Sequence, residues 1–178
     1  MRIIQGKYKS KRIIAPKNLP VRPTTDMAKE GIFNVINNEF YFDQLTVLDL
    51  FSGTGNISYE FASRGAKSIT SVDINYNCTR YIHSMIKELG FDQVSVIKSD
   101  VIKYIETSKS VFKLIYADPP YQMENQDQMI EAIMASNLLQ AGGWFIIEHD
   151  PHHHFDHING FIQQRRYGSV HFSIFEKN

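Results

Sequence analysis

The stretch TVLDLFSGTG, residues 46–55, decides the fold. A short apolar run that ends in a glycine-rich turn is typical of a buried strand. The residues after the turn follow a helical pattern up to Arg64, and Gly65 is a good C-terminal cap. A strand, a tight turn and a helix in this order begin a βαβ unit.

The same alternation continues along the chain. Further strands are predicted at 68–73, 94–97, 112–117 and 144–148, and two more at 161–166 and 170–175. Helical patterns lie at 28–36, 57–64, 78–89, 101–106 and 129–134. This order predicts an α/β fold, a doubly wound, mostly parallel seven-stranded sheet with helices on both faces. Such sheets bind ligands at the carboxyl ends of their strands, where the strand order reverses.

Length and composition narrow the class of protein. The 178 residues suffice for one globular domain, and 43% hydrophobic with 21% charged residues is ordinary for a globular chain. No apolar run is long enough for a membrane span, and the single cysteine, Cys78, cannot form an internal disulfide. We expect a cytoplasmic monomer without a membrane partner, with Cys78 in the core.

The charge is unevenly distributed although the net charge is zero. Residues 1–25 contain seven cations and no acid, whereas residues 26–178 contain 12 cations and 19 acids. Short apolar runs around Gly6 predict a small N-terminal β-hairpin. We therefore divide the chain into a basic arm, residues 1–22, and a main domain, residues 23–178. A basic arm on an acidic body indicates a polyanionic partner, although a solvated tail explains the charge equally well.

The glycine-rich turn favours one kind of ligand. A dinucleotide-binding turn would have a third glycine where this chain has Ser58. Asp49, in the strand before the turn, suits a cationic ligand better than a phosphate. A purely structural turn remains an alternative.

Two further acids follow the next strands. Asp73, at the end of the second strand, can accept hydrogen bonds from both ribose hydroxyls, or cap the helix that starts near Asn75. Asp100, after the third strand, can accept from an adenine amino group, or cap the next helix. With Asp49, these acids outline a site for an adenosine with a charged tail.

The motif Asp118-Pro119-Pro120-Tyr121 follows the fourth strand and is the most specific signal. Two prolines make a stiff turn whose carbonyls face outward. Asp118 and the Pro119 carbonyl then form a pair of acceptors beside a tyrosine ring. A flipped base with an exocyclic amine offers two N–H donors and a flat ring to stack, so the motif predicts a site for such a base.

The motifs taken together resemble a known family. The order DLFSGTG, acidic strand end and DPPY is similar to class I S-adenosylmethionine-dependent methyltransferases that act on amino groups. The stretch RPTTD-x-x-x-E-x-x-FN, residues 22–34, and the late Arg166-Tyr167-Gly168 resemble the RsmD-type small-subunit rRNA methyltransferases. That resemblance implies a Rossmann-like fold, S-adenosylmethionine as cofactor, and methylation of a guanine N2 in 16S rRNA or the small ribosomal particle.

The resemblance also implies roles for matching positions. The methionine end of the cofactor would lie against Asp49, Phe51, Gly53, Thr54 and Gly55, its ribose at Asp73, and its adenine at Asp100 and Val101. Thr24 and Asp26 would close the cofactor site, and residues 118–121 would receive the guanine. The hypothesis for the arm is that it binds rRNA phosphates through Arg2, Lys7, Lys9, Lys11, Arg12 and Arg22. Met27 and Ser10 depart from the family pattern, which has a basic residue and a glycine there.

Six of the seven histidines lie in residues 149–171. Consecutive histidines do not converge easily on one ion and no cysteine accompanies them, so we expect a solvated loop and no metal. Two alternatives to the guanine methyltransferase remain: an adenine-N6 methyltransferase of DNA or RNA, and a non-catalytic rRNA-binding assembly factor. A dehydrogenase is disfavoured by Ser58.

Overall fold

The computed structural model describes residues 1–16, 19 and 24–178. Its strands are β1 (Thr46–Leu50), β2 (Ser68–Asp73), β3 (Val94–Lys98), β4 (Phe112–Ala117), β5 (Leu139–His149), β6 (Phe161–Tyr167) and β7 (Val170–Glu176). Its α-helices are α1 (Asp26–Glu39), α2 (Asn56–Ser63), α3 (Tyr76–Leu89), α4 (Val101–Thr107) and α5 (Gln126–Ala135). The predicted α/β class and every predicted strand are confirmed.

The seven strands form one sheet in the order β3-β2-β1-β4-β5-β7-β6. The pairs among β1 to β5 are parallel, whereas β7 is antiparallel to both of its neighbours. The chain proceeds from β1 outward to β3 and then returns to start β4 on the other side of β1. The strand order therefore reverses between β1 and β4, which is where a doubly wound sheet binds its ligand.

Helices cover both faces of the sheet. One core cluster packs α1, α2 and α3 against the sheet, and a second packs α4 and α5 against the opposite face. Cys78 lies on the apolar side of α3 and is buried, as predicted. The 11 residues between β5 and β6, residues 150–160, form turns and no helix. No helix in the described part of the chain has the length and apolarity to span a bilayer.

The N-terminal hairpin is small and lies flat on the helices of one face. A single antiparallel bridge joins Arg2 and Arg12. Ile3 and Ile13 belong to the core cluster of that face. The predicted boundary near residue 22 lies outside the described residues, so the division into an arm and a main domain stays a prediction.

Candidate active site

The carboxyl ends of β1 and β4 lie side by side at the reversal of the strand order. Leu50 is the register partner of Ala117, and the Asp118 N–H donates to the Leu50 carbonyl at 3.3 Å. The glycine-rich turn and the Asp118 turn therefore start from adjacent positions. Two polar loops at one edge can hold two ligands in contact with each other.

Asp49 is a buried carboxylate on this edge. The Ser58 hydroxyl donates to its Oδ2 at 2.5 Å, and Ser58 Oγ lies 2.6 Å from Ser71 Oγ. The serine that interrupts the dinucleotide pattern thus holds an acid in place. Burial raises the pKa of Asp49 to about 7, and the nearby Asp73 carboxylate adds to this rise. A cation bound here would relieve both effects.

Three residues of the turn after β1 have positive φ angles, a backbone conformation that is common where a chain passes close to a ligand. Gly53 and Gly55 have φ angles of 53° and 79°, and Phe51, with φ of 58°, adopts the left-handed region without being a glycine. Such a backbone costs a non-glycine residue about 1–3 kcal/mol and is concentrated at functional sites. The Gly53 N–H donates to Asp73 Oδ2 at 2.8 Å.

Asp73 joins the ends of β1 and β2. Its Oδ2 accepts from Gly53, and its Oδ1 accepts from the Asn75 N–H at 2.7 Å. Asn75 is the residue that caps α3, accepting from the Asn77 and Cys78 N–H groups. The alternative in which Asp73 itself caps that helix is wrong, and its carboxylate is instead fixed beside the turn.

Asp100 does cap a helix. Its side chain accepts from the Lys103 N–H at 3.0 Å at the start of α4, and Val101 beside it is buried. The structural alternative for Asp100 is therefore realised. Its predicted adenine contact stays a prediction, which capping through one oxygen does not prevent.

The residues of the Asp118 turn differ in exposure. Asp118 is half-buried, Pro119 is buried and Pro120 is exposed, while Tyr121 has 43% of its surface exposed. The Met123 N–H donates to the Pro120 carbonyl at 2.9 Å and closes the turn. Burial and the charges of Glu148 and Asp49 raise the pKa of Asp118 well above its usual range.

Glu148, at the end of β5, is a site residue that the sequence interpretation missed. Its Oε2 accepts from the Thr24 hydroxyl and from the Tyr116 hydroxyl, both at 2.7 Å. Burial raises its pKa, and these two hydrogen bonds act in the opposite direction. It is the one acid in the predicted strand 144–148, and the rule that selected Asp73 and Asp100 would have selected it too.

Thr24 connects the two sides of the site. Its hydroxyl bonds Glu148 near the Asp118 turn, and its carbonyl accepts from Asn56 Nδ2 at 3.3 Å, at the start of α2. Asp26 lies further out and pairs with Arg2, Oδ2 to Nε 3.1 Å. Thr24 thus lies between the glycine-rich turn and the Asp118 turn, whereas Asp26 lies further out.

The arm cations that the structure describes do not lie together. Arg2 and Arg12, at the open end of the hairpin, line a surface cavity of about 380 Å³ with Met1 and Asp26 beside the site. The tip of the hairpin lies at the opposite edge of the sheet: the Lys7 N–H donates to Ser63, the last residue of α2, and Lys11 pairs with Glu88 near the end of α3. Lys9 is in the same tip, and Arg22 lies outside the described residues.

The hairpin is held by a buried ionic cluster that had no sequence signal. Glu60 accepts from the N–H groups of Ile4 and Gln5 at 2.8 and 3.1 Å. It also pairs with Arg64 at 2.8 Å and with Lys29 Nζ at 3.4 Å. Lys29 is fully buried, and desolvation lowers its pKa against the attraction of Glu60.

The solvated-loop prediction for the histidines is wrong for His149, and also for His171, which is buried on β7. His149 is the last residue of β5 and is fully buried, with Nε2 2.9 Å from Ser173 Oγ. Burial lowers its pKa to about 4, so it is neutral at pH 7. His152, His154 and His157 are exposed as predicted. Within residues 1–16, 19 and 24–178, no group of three His, Cys, Asp or Glu side chains could hold a metal ion.

The strand order and the site at its reversal define a class I methyltransferase fold. The solved structure of the putative methyltransferase yhhF from Escherichia coli matches with a TM-score of 0.85 and 20% identity, over 99% of this chain and 97% of that chain. The 16S rRNA N2 G1207 methyltransferase RsmC of Thermus thermophilus, solved with AdoMet and guanosine, matches with a TM-score of 0.74 and 17% identity, over 90% of this chain and 45% of that chain. At these identities, the likeness shows the fold alone.

The chain belongs to the family described as conserved hypothetical protein 95, whose model matches residues 1–176. A putative rRNA methyltransferase of Bacillus subtilis, YlbH, is 32% identical over 154 residues, 84% of this chain and 83% of the relative. Ribosomal RNA small subunit methyltransferase D of Buchnera aphidicola is 33% identical over 152 residues, 84% of this chain and 76% of the relative. The resemblance to the RsmD-type family is confirmed.

Proposed function

We propose that this protein transfers a methyl group from S-adenosylmethionine to the exocyclic N2 amine of a guanine in 16S rRNA. The observation that carries the proposal is the adjacency of the β1 and β4 ends, where the Asp118 N–H meets the Leu50 carbonyl at 3.3 Å. The names of the similar rRNA methyltransferases support the substrate class.

The residues at the β1 and β2 ends fit the proposed cofactor. When bound, S-adenosylmethionine supplies an electrophilic methyl group on a positively charged sulfonium. Asp49 is a buried carboxylate with a raised pKa, so a nearby cation would stabilise its ionised form. The remaining contacts would come from Phe51, Gly53, Thr54, Gly55, Asp73, Asp100 and Val101, with Thr24 and Asp26 on the N-terminal side.

Asp118 and the Pro119 carbonyl would hold the target amine. Their acceptors would take its two N–H groups, so that the nitrogen lone pair points toward the cofactor turn. Tyr121, partly exposed, would stack on the flipped base, and Pro120 keeps the turn stiff. The catalytic set in this proposal is Asp118, Pro119, Pro120 and Tyr121.

Two physical effects account for the rate. A hydrogen bond to a charged acceptor contributes about 1.5–3 kcal/mol, roughly tenfold to a hundredfold in rate. Alignment of two reactants contributes more, up to about 7–11 kcal/mol. The nitrogen becomes positively charged as its bond to the methyl carbon forms and the carbon–sulfur bond breaks, with S-adenosylhomocysteine as the leaving group. The Asp118 carboxylate would stabilise that charge and accept the proton that the amine loses. The reaction as proposed uses no metal and no side-chain nucleophile.

The basic arm would bind rRNA phosphates. Arg2 and Arg12 are close enough to the site to contact the RNA beside the target, whereas Lys7, Lys9 and Lys11 would contact it further away. Arg22 is proposed from the sequence alone. We further propose that the protein acts as a cytoplasmic monomer on 16S rRNA or the small ribosomal particle.

The test is methyl transfer followed by nucleoside analysis. The protein is incubated with methyl-labelled S-adenosylmethionine and either naked 16S rRNA or small ribosomal particles from cells lacking the gene, and the RNA is digested to nucleosides. We expect label in N2-methylguanosine at one position. Label in N6-methyladenosine would favour the adenine alternative, and cofactor-independent RNA binding without label would favour the assembly factor.

A further inference from the structure

Arg165 and Arg166 are exposed and lie on β6, the outermost strand of the sheet. They lie at the same end of the sheet as the carboxyl ends of β1, β4 and β5, where the candidate site is. The register runs from Glu148 on β5 to Phe172 on β7 and then to Arg165 on β6. In the next row, His149, His171 and Arg166 are aligned in the same way. Neighbouring strands are about 4.8 Å apart, so the two arginines start about 10 Å from the end of β5.

The turn between β6 and β7 packs against the start of α1. The Tyr167 ring lies on Gly31, where a Cβ atom would come within 2.2 Å of the ring. Arg166 Nε donates to the Gly168 carbonyl at 3.3 Å, and the Met27 side chain lies beside Gly168. The two arginines therefore lie on β6 directly before a turn that packs on the first two turns of α1.

Two more arginines lie on the other side of the same helix end. Arg2 pairs with Asp26 on the first turn of α1, and Arg12 is bridged to Arg2. The helix lies between the pair Arg2 and Arg12 and the pair Arg165 and Arg166, and a helix with its side chains is about 10–12 Å across. Among the described residues, these four arginines flank the start of α1, where the acids are Asp26, paired with Arg2, and the exposed Glu30.

We propose that Arg2, Arg12, Arg165 and Arg166 form one basic strip across the start of α1, which binds RNA phosphates on both sides of the nucleotide at the Asp118 turn. This inference rests on the proposed function. A guanidinium matches a phosphate with two parallel hydrogen bonds, so arginine suits a strip that must also orient the RNA. Charges on an edge strand also prevent strand pairing between molecules, but that role does not require their position beside the site.

The test compares two double variants that lose the same charge. Arg165→Ala with Arg166→Ala removes half of the strip, whereas Lys67→Ala with Lys109→Ala removes two exposed lysines near the opposite edge of the sheet. For a single-stranded 16S rRNA fragment around the modified base, each lost phosphate contact reduces the slope of log K against log salt by about 0.7. We expect the slope to become shallower by about 1.4 in the arginine variant and to stay unchanged in the lysine variant. Cofactor affinity should stay unchanged in both, and the KM for RNA should rise in the arginine variant only.

Met27 offers a test in the opposite direction. It is 59% exposed and lies on the first turn of α1, beside the β6–β7 turn. Met27→Arg would add a cation to the strip, so we expect tighter RNA binding and a slope steeper by about 0.7. Charge reversal, Arg165→Glu with Arg166→Glu, should weaken binding more than the alanine changes, with the melting temperature as the folding control.

The results of these experiments distinguish a failure of the proposed basic strip from a failure of the proposed function. If the wild-type protein methylates rRNA and the arginine variant keeps its affinity and salt slope, the strip is wrong while the proposed function stands. If the wild-type protein neither binds nor methylates rRNA, the proposed function fails and the strip fails with it.

Discussion

Asp118 and Glu148 directly follow two register partners on neighbouring parallel strands, Ala117 of β4 and Ile147 of β5, and the charge of Glu148 helps to raise the pKa of Asp118. Glu148 is held by Thr24 and Tyr116, and Asp118 is half-buried beside it. Two carboxylates in this position cannot both ionise easily. Asp49 on β1 is a third acid that acts on Asp118.

This pairing predicts the pH dependence of the reaction. Asp118 must be ionised to accept from the amine, and its pKa is raised, so activity should rise with pH through that raised pKa. Glu148→Gln removes the neighbouring charge and keeps an acceptor for Thr24 and Tyr116. We expect the acid limb of the kcat profile to shift to lower pH. Glu131→Gln, an exposed acid on α5, is the control; equal acid limbs in wild type and Glu148→Gln would exclude the pairing.

A substitution at Asp118 should lower turnover without lowering cofactor affinity. Asp118→Asn keeps the shape of the side chain but removes its charge, and we expect turnover to fall at least tenfold to a hundredfold, as for loss of a hydrogen bond to a charged acceptor. Cofactor affinity, measured by calorimetry, should be almost unchanged because Asp118 is not one of the proposed cofactor residues. Full turnover in the variant would remove Asp118 from the mechanism.

The buried Asp49 carboxylate should lower the stability of the folded protein at neutral and alkaline pH, where it is ionised. Its pKa of about 7 in the folded protein exceeds the unfolded value of about 3.9. The contribution of Asp49 to the free energy of unfolding is therefore fully present below pH 4 and is lost as the pH rises through 7. The loss is on the order of 4 kcal/mol. Asp49→Asn should therefore be more stable than wild type in urea at pH 8 and equally stable near pH 4, while it binds the cationic cofactor more weakly. A variant that is less stable at pH 8 would contradict this.

The buried ionic cluster under the hairpin should be essential for stability. Glu60→Gln leaves Lys29 buried without its charge partner, and breaking a buried pair costs about 3–5 kcal/mol. Glu88→Gln, which removes the exposed pair with Lys11, should cost less than about 1 kcal/mol. Urea unfolding measures both; comparable losses would mean that the buried cluster does not anchor the arm. Hydrogen exchange at the Ile4 and Gln5 N–H groups should accelerate only in the first variant.

The hairpin tip should affect RNA affinity without affecting chemistry. Replacing Lys7, Lys9 and Lys11 by alanine removes three contacts away from the site, so the salt slope should become shallower by about 2. Turnover at saturating RNA should not change, because these residues lie at the opposite edge of the sheet. An unchanged slope would restrict the RNA contacts to the open end of the hairpin.

The strand ends were predictable because each acid follows an apolar run. Asp49, Asp73 and Asp118 follow buried strands, and parallel strands bring their carboxyl ends to one edge. The adjacency of β1 and β4 follows from the right-handed crossovers of a doubly wound sheet. Local pattern and topology agree here, and the structure confirms the architecture.

The features of the structure that the sequence did not predict depend on contacts between residues that are distant in sequence. Lys29 has the pattern of an exposed helix residue, and its burial depends on Glu60. The sequence pattern predicts His149 in a polar histidine loop, whereas β5 continues through it and Ser173 of β7 supplies its partner. The insertion of β7 between β5 and β6 likewise has no local signal, since a hairpin can pair with β5 through either strand.

The most direct test of the central claim is a crystal structure with S-adenosylhomocysteine and guanosine bound together. We expect the thioether sulfur at the glycine-rich turn after β1. We expect the guanine N2 hydrogen-bonded to Asp118 and the Pro119 carbonyl, with the nitrogen facing the sulfur. A structure in which the base binds away from the Asp118 turn, or in which protein separates the base from the sulfur, would contradict it.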